Sequence, residues 1–373
     1  MTPKGIRRAV HDVSAYVPGK TIEEVKREYG LSDVVKLGSN ENPYGPFPAS
    51  RRAMQQEVDR LHSYPDSSFE EIKQLLGELH GVSPASVAIS HGAGGMLETI
   101  ARTFIEEGDE VLLPVETYRL YREISRLMGG VTVEVPVTAD YRIDLEAMAE
   151  RISPRTKLAW LCNPNNPTST LFDPAAYAAF RDRLPDTAWI VLDEAYVEFA
   201  GEAARPDAVA ELTGHNVIVV RTFSKAYGLA GARLGYAMAR PEVIRVIDTV
   251  AEPFNANRIG LAGAAAVLRE DGEAYARALG ATLDERGRLT EALHARGYTV
   301  AESRTNFVFF DTGADATALA TRMLERGVIV RSCASWGFPA HLRVTVGKPE
   351  HTERFLAVLD AAISALGKET VYG

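Results

Sequence analysis

The stretch Val217-Ile-Val-Val-Arg-Thr-Phe-Ser-Lys-Ala-Tyr-Gly-Leu-Ala-Gly-Ala-Arg233 is where fold and chemistry meet in this chain. Its first four residues are β-branched and apolar without a break, the pattern of a strand buried on both faces. Lys225 follows just past the end of that run, beside the hydroxyls of Thr222 and Ser224 and eight positions before Arg233. An amine at the end of a core strand is costly unless it is used. Partly desolvated, it is the form of lysine that condenses with carbonyl compounds. The hydroxyls and Arg233 suit a phosphate. Taken alone, the same residues also fit a lysine capping a solvated turn.

Working outward, the same alternation of apolar run and helical stretch recurs from about Val35. Runs at Val87–Ile89, Asp109–Leu113, Val131–Val135, Leu158–Leu161 and Trp189–Leu192 are separated by helical patterns, among them Met96–Phe104, Tyr118–Met128 and Leu145–Ile152. That order predicts an α/β fold, with a large domain whose mostly parallel sheet is flanked by helices. The last third reads differently. A helix over about 274–296 leads to short runs at Thr299–Val300, Asn306–Phe310, Gly327–Val330 and His341–Val346, a smaller α+β domain of antiparallel character. Before Val35 the chain carries a Pro-Gly turn at Val17–Lys20 and one amphipathic helix, Ile22–Tyr29, closed by Gly30. The expected organisation is an N-terminal arm and part of the small domain over 1–34, the large domain over 35–255, and the small C-terminal domain over 256–373.

A length of 373 residues suits two domains. The net charge of −9, with no basic run, argues against a nucleic-acid partner. No apolar run is long enough to span a bilayer, and the N-terminus lacks the apolar core of a signal peptide. The two cysteines, Cys162 and Cys333, form neither a metal spacing nor a disulfide framework, so no metal is expected and a reducing cytoplasm is the expected location.

In doubly wound sheets, ligands gather at the carboxyl ends of the strands. Three further segments sit at such ends. Ser90-His-Gly-Ala-Gly-Gly95 opens a helix, and its backbone N–H groups can cradle a phosphate, although glycine-rich turns of this kind are common. Cys162-Asn-Pro-Asn-Asn-Pro-Thr168 presents amide side chains on a proline-stiffened loop, or is a plain tight turn. Asp193-Glu-Ala-Tyr196 offers a carboxylate able to keep a pyridinium nitrogen protonated, or else an N-cap for the next helix. Singly, each plain reading survives. In order, the segments supply every group that a pyridoxal-phosphate site needs.

The chain resembles the fold-type I pyridoxal-phosphate aminotransferases, and among them histidinol-phosphate aminotransferases and the related aromatic amino acid aminotransferases. The resemblance runs nearly end to end. It is carried by Pro18-Gly-Lys20, Glu28-Tyr-Gly-Leu31, Ser39-Asn-Glu-Asn-Pro-Tyr-Gly45, Tyr64-Pro-Asp66, Asn163–Thr168, Leu192–Tyr196, Arg221–Gly228, Glu252-Pro-Phe-Asn255, Thr305-Asn-Phe-Val308 and Leu342–Gly347. It implies pyridoxal 5'-phosphate bound covalently to Lys225, which then shuttles the proton during catalysis. It further implies Asp193 at the pyridine nitrogen, Tyr196 and Asn166 at the ring oxygen, and Tyr118 stacked on the ring. Ser224, Arg233 and the backbone of Gly92 and Ala93 would hold the phosphate. Tyr64 would reach the cofactor of a neighbouring subunit, hence a homodimer. Arg343 and Arg331 would grip the substrate, with Tyr16 and Asn42 nearby, and Tyr16, Tyr44 and Phe254 are candidates to line an aromatic pocket.

The implied reaction is ping-pong transfer of an amino group between histidinol phosphate, or an aromatic or other L-amino acid, and 2-oxoglutarate. For histidinol phosphate this is a step of histidine biosynthesis. One segment departs from the family pattern. The usual Gly-Asn-Gly-Ser/Ala-Asp-Glu turn reads Ser90-His-Gly-Ala-Gly-Gly95 here, exchanging two acids at a helix N-terminus for glycines. The glycine that usually follows Asn-Pro-Thr is Ser169. The altered Gly94-Gly95 turn leaves open a decarboxylase, cyclase or oxidase on the same scaffold.

Overall fold

A computed structural model describes residues 5–13, 19–201 and 207–369. Its strands are β1 (Val35–Lys36), β2 (Val87–Ser90), β3 (Glu110–Pro114), β4 (Val131–Val135), β5 (Thr156–Cys162), β6 (Trp189–Asp193), β7 (Val217–Thr222) and β8 (Gly235–Met238) in the first two thirds. There follow β9 (Thr299–Val300), β10 (Phe307–Asp311), β11 (Val328–Ile329), β12 (Arg331–Ser332) and β13 (His341–Thr345). Seven of them form one sheet in the order β2-β8-β7-β6-β5-β3-β4. The pairs β3/β4, β3/β5, β5/β6 and β6/β7 are parallel, and β8 runs antiparallel to both β7 and β2.

The unbroken apolar runs have the expected cause. Ile190 and Leu192 of β6, with Val217 and Val219 of β7, point into the core on one face. Val191, Ile218 and Val220 point into the core on the other. Period-two alternation under two helical layers leaves no polar face, so the central residues of these strands must be apolar.

The C-terminal sheet is antiparallel, in the order β12-β13-β10-β9. Two pairings cross the boundaries expected from the sequence. β1 runs parallel to β11, and Leu37 joins the apolar cluster of the C-terminal unit. Ala264 and Val267, in the helix Arg258–Glu270, join the core under the large sheet. These contacts join segments on either side of the boundaries expected near 35 and 255. Helix ends differ from expectation by one to three residues, as at Leu120–Leu127, which leaves Tyr118 in the preceding turn. Among the described residues no helix is long and apolar enough to cross a membrane. Both cysteines are free and buried.

Candidate active site

The carboxyl ends of β2, β5, β6 and β7 converge on one place, and the segment 38–42 closes it from the side of the smaller unit. Lys225 lies there partly buried, its Nζ donating to the Ser39 carbonyl at 3.3 Å and standing 5.6 Å from the Tyr196 ring centre. Burial, with the charges of Arg343 and Arg233, lowers its pKa to about 8, against the pull of Glu41 and Asp193. Asp193 is the last residue of β6 and is buried. Desolvation raises its carboxyl to about 6, although the Tyr121 hydroxyl donates to Oδ2 at 2.7 Å and the Ala195 N–H to Oδ1 at 3.0 Å. An acid held up and a base held down, side by side, are the mark of a working site rather than of a structural ion pair.

The glycine-rich turn and Arg233 meet as a cradle. Gly92, at φ 92°, precedes the helix Ala93–Phe104. A Cβ on Gly92 would lie 2.6 Å from Arg233 Nη2, so the missing side chain is what lets the guanidinium approach the turn. Arg233 itself takes the left-handed region at φ 54° and points Nη1 toward Ser224 Oγ at 3.5 Å. Guanidinium, hydroxyl and helix N-terminus thus face one another, which is a phosphate's set of donors.

On the other side, Arg331 and Arg343 are directly opposed across β12 and β13. Both guanidiniums flank the Trp336 indole, at 5.5 and 5.8 Å from its ring. Arg343 donates to Asn166 Oδ1 at 2.6 Å and to the Gly38 carbonyl at 2.7 Å. Behind the site, Arg221 donates from Nε to Glu194 Oε2 at 2.8 Å, a buried ion pair under the strand ends.

A family model for aminotransferase class I and II matches residues 32–359. The chain belongs to the class I and II aminotransferases. It is 42% identical to the histidinol-phosphate aminotransferase of Anaeromyxobacter sp. (strain Fw109-5), over 95% of this chain and 98% of that protein. It is 40% identical to the enzyme of the same name from Symbiobacterium thermophilum, over 96% and 98%. Among solved structures, the histidinol-phosphate aminotransferase of Sinorhizobium meliloti, in complex with pyridoxal-5'-phosphate, superposes with a TM-score of 0.89 at 30% identity, covering 98% of this chain and 99% of that one. An aspartate aminotransferase of Thermus thermophilus, with maleate, shares the fold at a TM-score of 0.80 and 24% identity, over 95% of this chain and 100% of that one. The expectation of an aminotransferase with pyridoxal 5'-phosphate is borne out by this membership and by these relatives.

The site residues of this aminotransferase fit the cofactor. The glycine-opened cradle suits a phosphate, the buried carboxylate a pyridine nitrogen, and the low-pKa lysine an aldehyde. Tyr196 is buried, and its hydroxyl accepts from Asn40 Nδ2 at 3.0 Å. Tyr118 stands edge-on to Tyr121, with ring centres 5.6 Å apart. Tyr64 is 77% exposed and stacks on Phe254 at 4.4 Å, lining a cleft of about 730 Å³ with His91 and Arg258.

Asn42 is engaged with backbone on both sides, donating to the Ala226 carbonyl at 2.9 Å and accepting from the Tyr44 N–H at 2.9 Å. It fastens the loop after Lys225. Within the Gly94-Gly95 departure, a Cβ on Gly95 would lie 2.6 Å from His91 Cε1, whereas one on Gly94 would meet only Leu120 at 3.6 Å. The imidazole fills the place a side chain would take at Gly95. Tyr16 lies outside the described residues. Sequence reasoning missed Tyr121, Asn40 and Trp336; only Tyr121, three residues after Tyr118 at helical spacing, left a trace.

Proposed function

We propose that this aminotransferase takes histidinol phosphate as amino donor and 2-oxoglutarate as acceptor, which would place it in histidine biosynthesis. The observation that carries the reading is the opposed pair Arg331 and Arg343 at the mouth of the site. Two arginines at opposed positions of neighbouring strands, both against Trp336, suit a doubly charged phosphate in one half-reaction and a carboxylate in the other. The relatives at 42% and 40% identity, which bear the histidinol-phosphate name, point the same way. They lend no support to a decarboxylase, cyclase or oxidase.

Bound pyridoxal phosphate supplies an electron sink for the pair of electrons left when a substrate C–H bond breaks. The residues around it divide the remaining work. Ser224, Arg233 and the backbone of Gly92 and Ala93 hold the phosphate, Asp193 keeps the pyridine nitrogen protonated, and Tyr196 and Asn166 hold the ring oxygen. Tyr118 stacks on the ring. Lys225 carries the cofactor at rest. Its Nζ, when free, would be the base that takes up the proton from the substrate Cα and hands it on along the same face. Its pKa of about 8 leaves a useful neutral fraction near pH 7. Tyr64, exposed beside the cleft, is read as reaching a second copy, so the working form is a homodimer, in the cytoplasm.

A donor screen tests the reading. The loaded enzyme is given histidinol phosphate, phenylalanine or tyrosine with 2-oxoglutarate, and glutamate is measured. Histidinol phosphate should lead in kcat/KM by at least about tenfold. A phenylalanine or tyrosine preference would refute the substrate assignment while leaving the chemistry intact.

A further inference from the structure

Tyr121 approaches the site from within the core. It lies in the helix Leu120–Leu127 with no exposed surface, its ring stacked on Trp160 at 5.3 Å and 7°. A phenylalanine would make that contact equally well, so packing does not explain the hydroxyl. A buried hydroxyl is a cost unless it is partnered, and here its partner is Asp193 Oδ2 at 2.7 Å. The other face of the relation matters as much. With the Ala195 N–H on Oδ1, the carboxylate has one donor on each oxygen, which fixes its plane and still leaves each oxygen a free lone pair. The Tyr121 ring also meets Tyr118 edge-on, so one side chain braces both the residue expected on the cofactor's ring and the residue expected at its nitrogen.

We propose that Tyr121 is a positioning residue acting through Asp193, holding that carboxylate in the orientation and charge state that the cofactor's ring nitrogen requires. The proposal rests on the assignment of Asp193 to that nitrogen. Charged and titratable groups face Asp193 from several elements: Tyr121, Cys162 at the end of β5, Glu194 and Tyr196 beyond β6, and Lys225 beyond β7. Burial pushes the Cys162 thiol and the Tyr196 phenol up, so both stay neutral. Glu194 opposes ionisation of Asp193 and Lys225 favours it. Against burial, the side-chain hydrogen bond that holds Asp193 down comes from Tyr121.

The test uses the cofactor-loaded enzyme and reads the pH midpoint of its visible absorption, which reports the proton on the Lys225 nitrogen. A ring nitrogen that loses its positive charge makes that proton less acidic. Tyr121→Phe should therefore raise the midpoint by roughly one pH unit, the worth of one charge-assisted hydrogen bond. Fluorotyrosine at 121, a more acidic phenol and stronger donor of nearly the same shape, should lower it. KM for the amino donor should stay within about twofold, since Tyr121 touches no substrate. An unchanged midpoint in both proteins, at full cofactor occupancy, would make Tyr121 a packing residue and overturn the proposal. Should Tyr121→Phe fail to fold, the fluorotyrosine arm decides alone, with no downward shift again overturning it. An Asp193→Asn protein that kept the wild-type midpoint would instead refute the assignment of Asp193 beneath it.

Discussion

Lys225 is held in its place at a cost that the cofactor-free protein should reveal. Burial and neighbouring arginines lower its pKa from 10.5 to about 8. Two and a half units correspond to about 3 kcal/mol between the folded and unfolded chain. The amine keeps some access to water and gives one long hydrogen bond to Ser39, so the net cost is about 2 kcal/mol. Below pH 8 the amine is charged in both states and the full cost is present. Between pH 8 and 10.5 the folded chain sheds the proton first, binds fewer protons than the unfolded chain, and gains stability as pH rises. Lys225→Met, stripped of cofactor, should be about 2 kcal/mol more stable than stripped wild type at pH 7, with the gap narrowed to under about 1 kcal/mol by pH 10. Urea unfolding followed by tryptophan fluorescence, repeated at pH 7, 8.5 and 10, measures the gap. A gap that stays constant with pH, or a methionine variant less stable at pH 7, would refute the claim that the lysine is held under strain of desolvation.

Other outcomes follow from the same geometry. Arg343→Lys keeps the charge but loses the fork that reaches both Asn166 and Gly38, and should raise KM for 2-oxoglutarate by about 10- to 100-fold in steady-state assays. Gly235→Ala would set a Cβ 2.6 Å from the Gly92 carbonyl carbon, where only backbone can yield. It should cost at least about 1–3 kcal/mol and weaken cofactor retention on dialysis. Gly95→Ala meets only the exposed His91 ring, which can swing aside, and the better helix former should leave the melting temperature within a few degrees. Glu194→Gln strips the buried Arg221 of its counter-charge and should cost about 3–5 kcal/mol in urea unfolding.

Much of this was legible in the residues. The strand-end positions of Lys225 and Asp193 could be read because a two-sided sheet demands unbroken apolar runs, and the first polar residue after such a run lies at its rim. β8 escaped notice because Gly235-Tyr-Ala-Met238 carries a glycine and an alanine, which pack poorly and signal weakly. β1 and β11 are two residues each, too short for any periodicity, and their pairing crosses an expected boundary. The hydroxyl of Tyr121 is invisible in sequence, where a core tyrosine looks like any other core aromatic. His91 and Gly95 appear as two unrelated departures until the ring is seen occupying the space beside the glycine.

The segment 38–42 connects what enzymologists measure separately. The Gly38 carbonyl receives Arg343, the Ser39 carbonyl receives Lys225, the Asn40 side chain holds the Tyr196 hydroxyl, and Asn42 ties down the loop after Lys225. Asn306 in turn donates to the Asn40 carbonyl at 3.1 Å, fastening the same segment to the smaller unit. Five consecutive residues thus tie together Arg343, Lys225 and Tyr196. Directed evolution that alters donor choice through this segment will find affinity and turnover changing together, and the freedom to tune one alone must be sought elsewhere, beside Trp336 and Arg331.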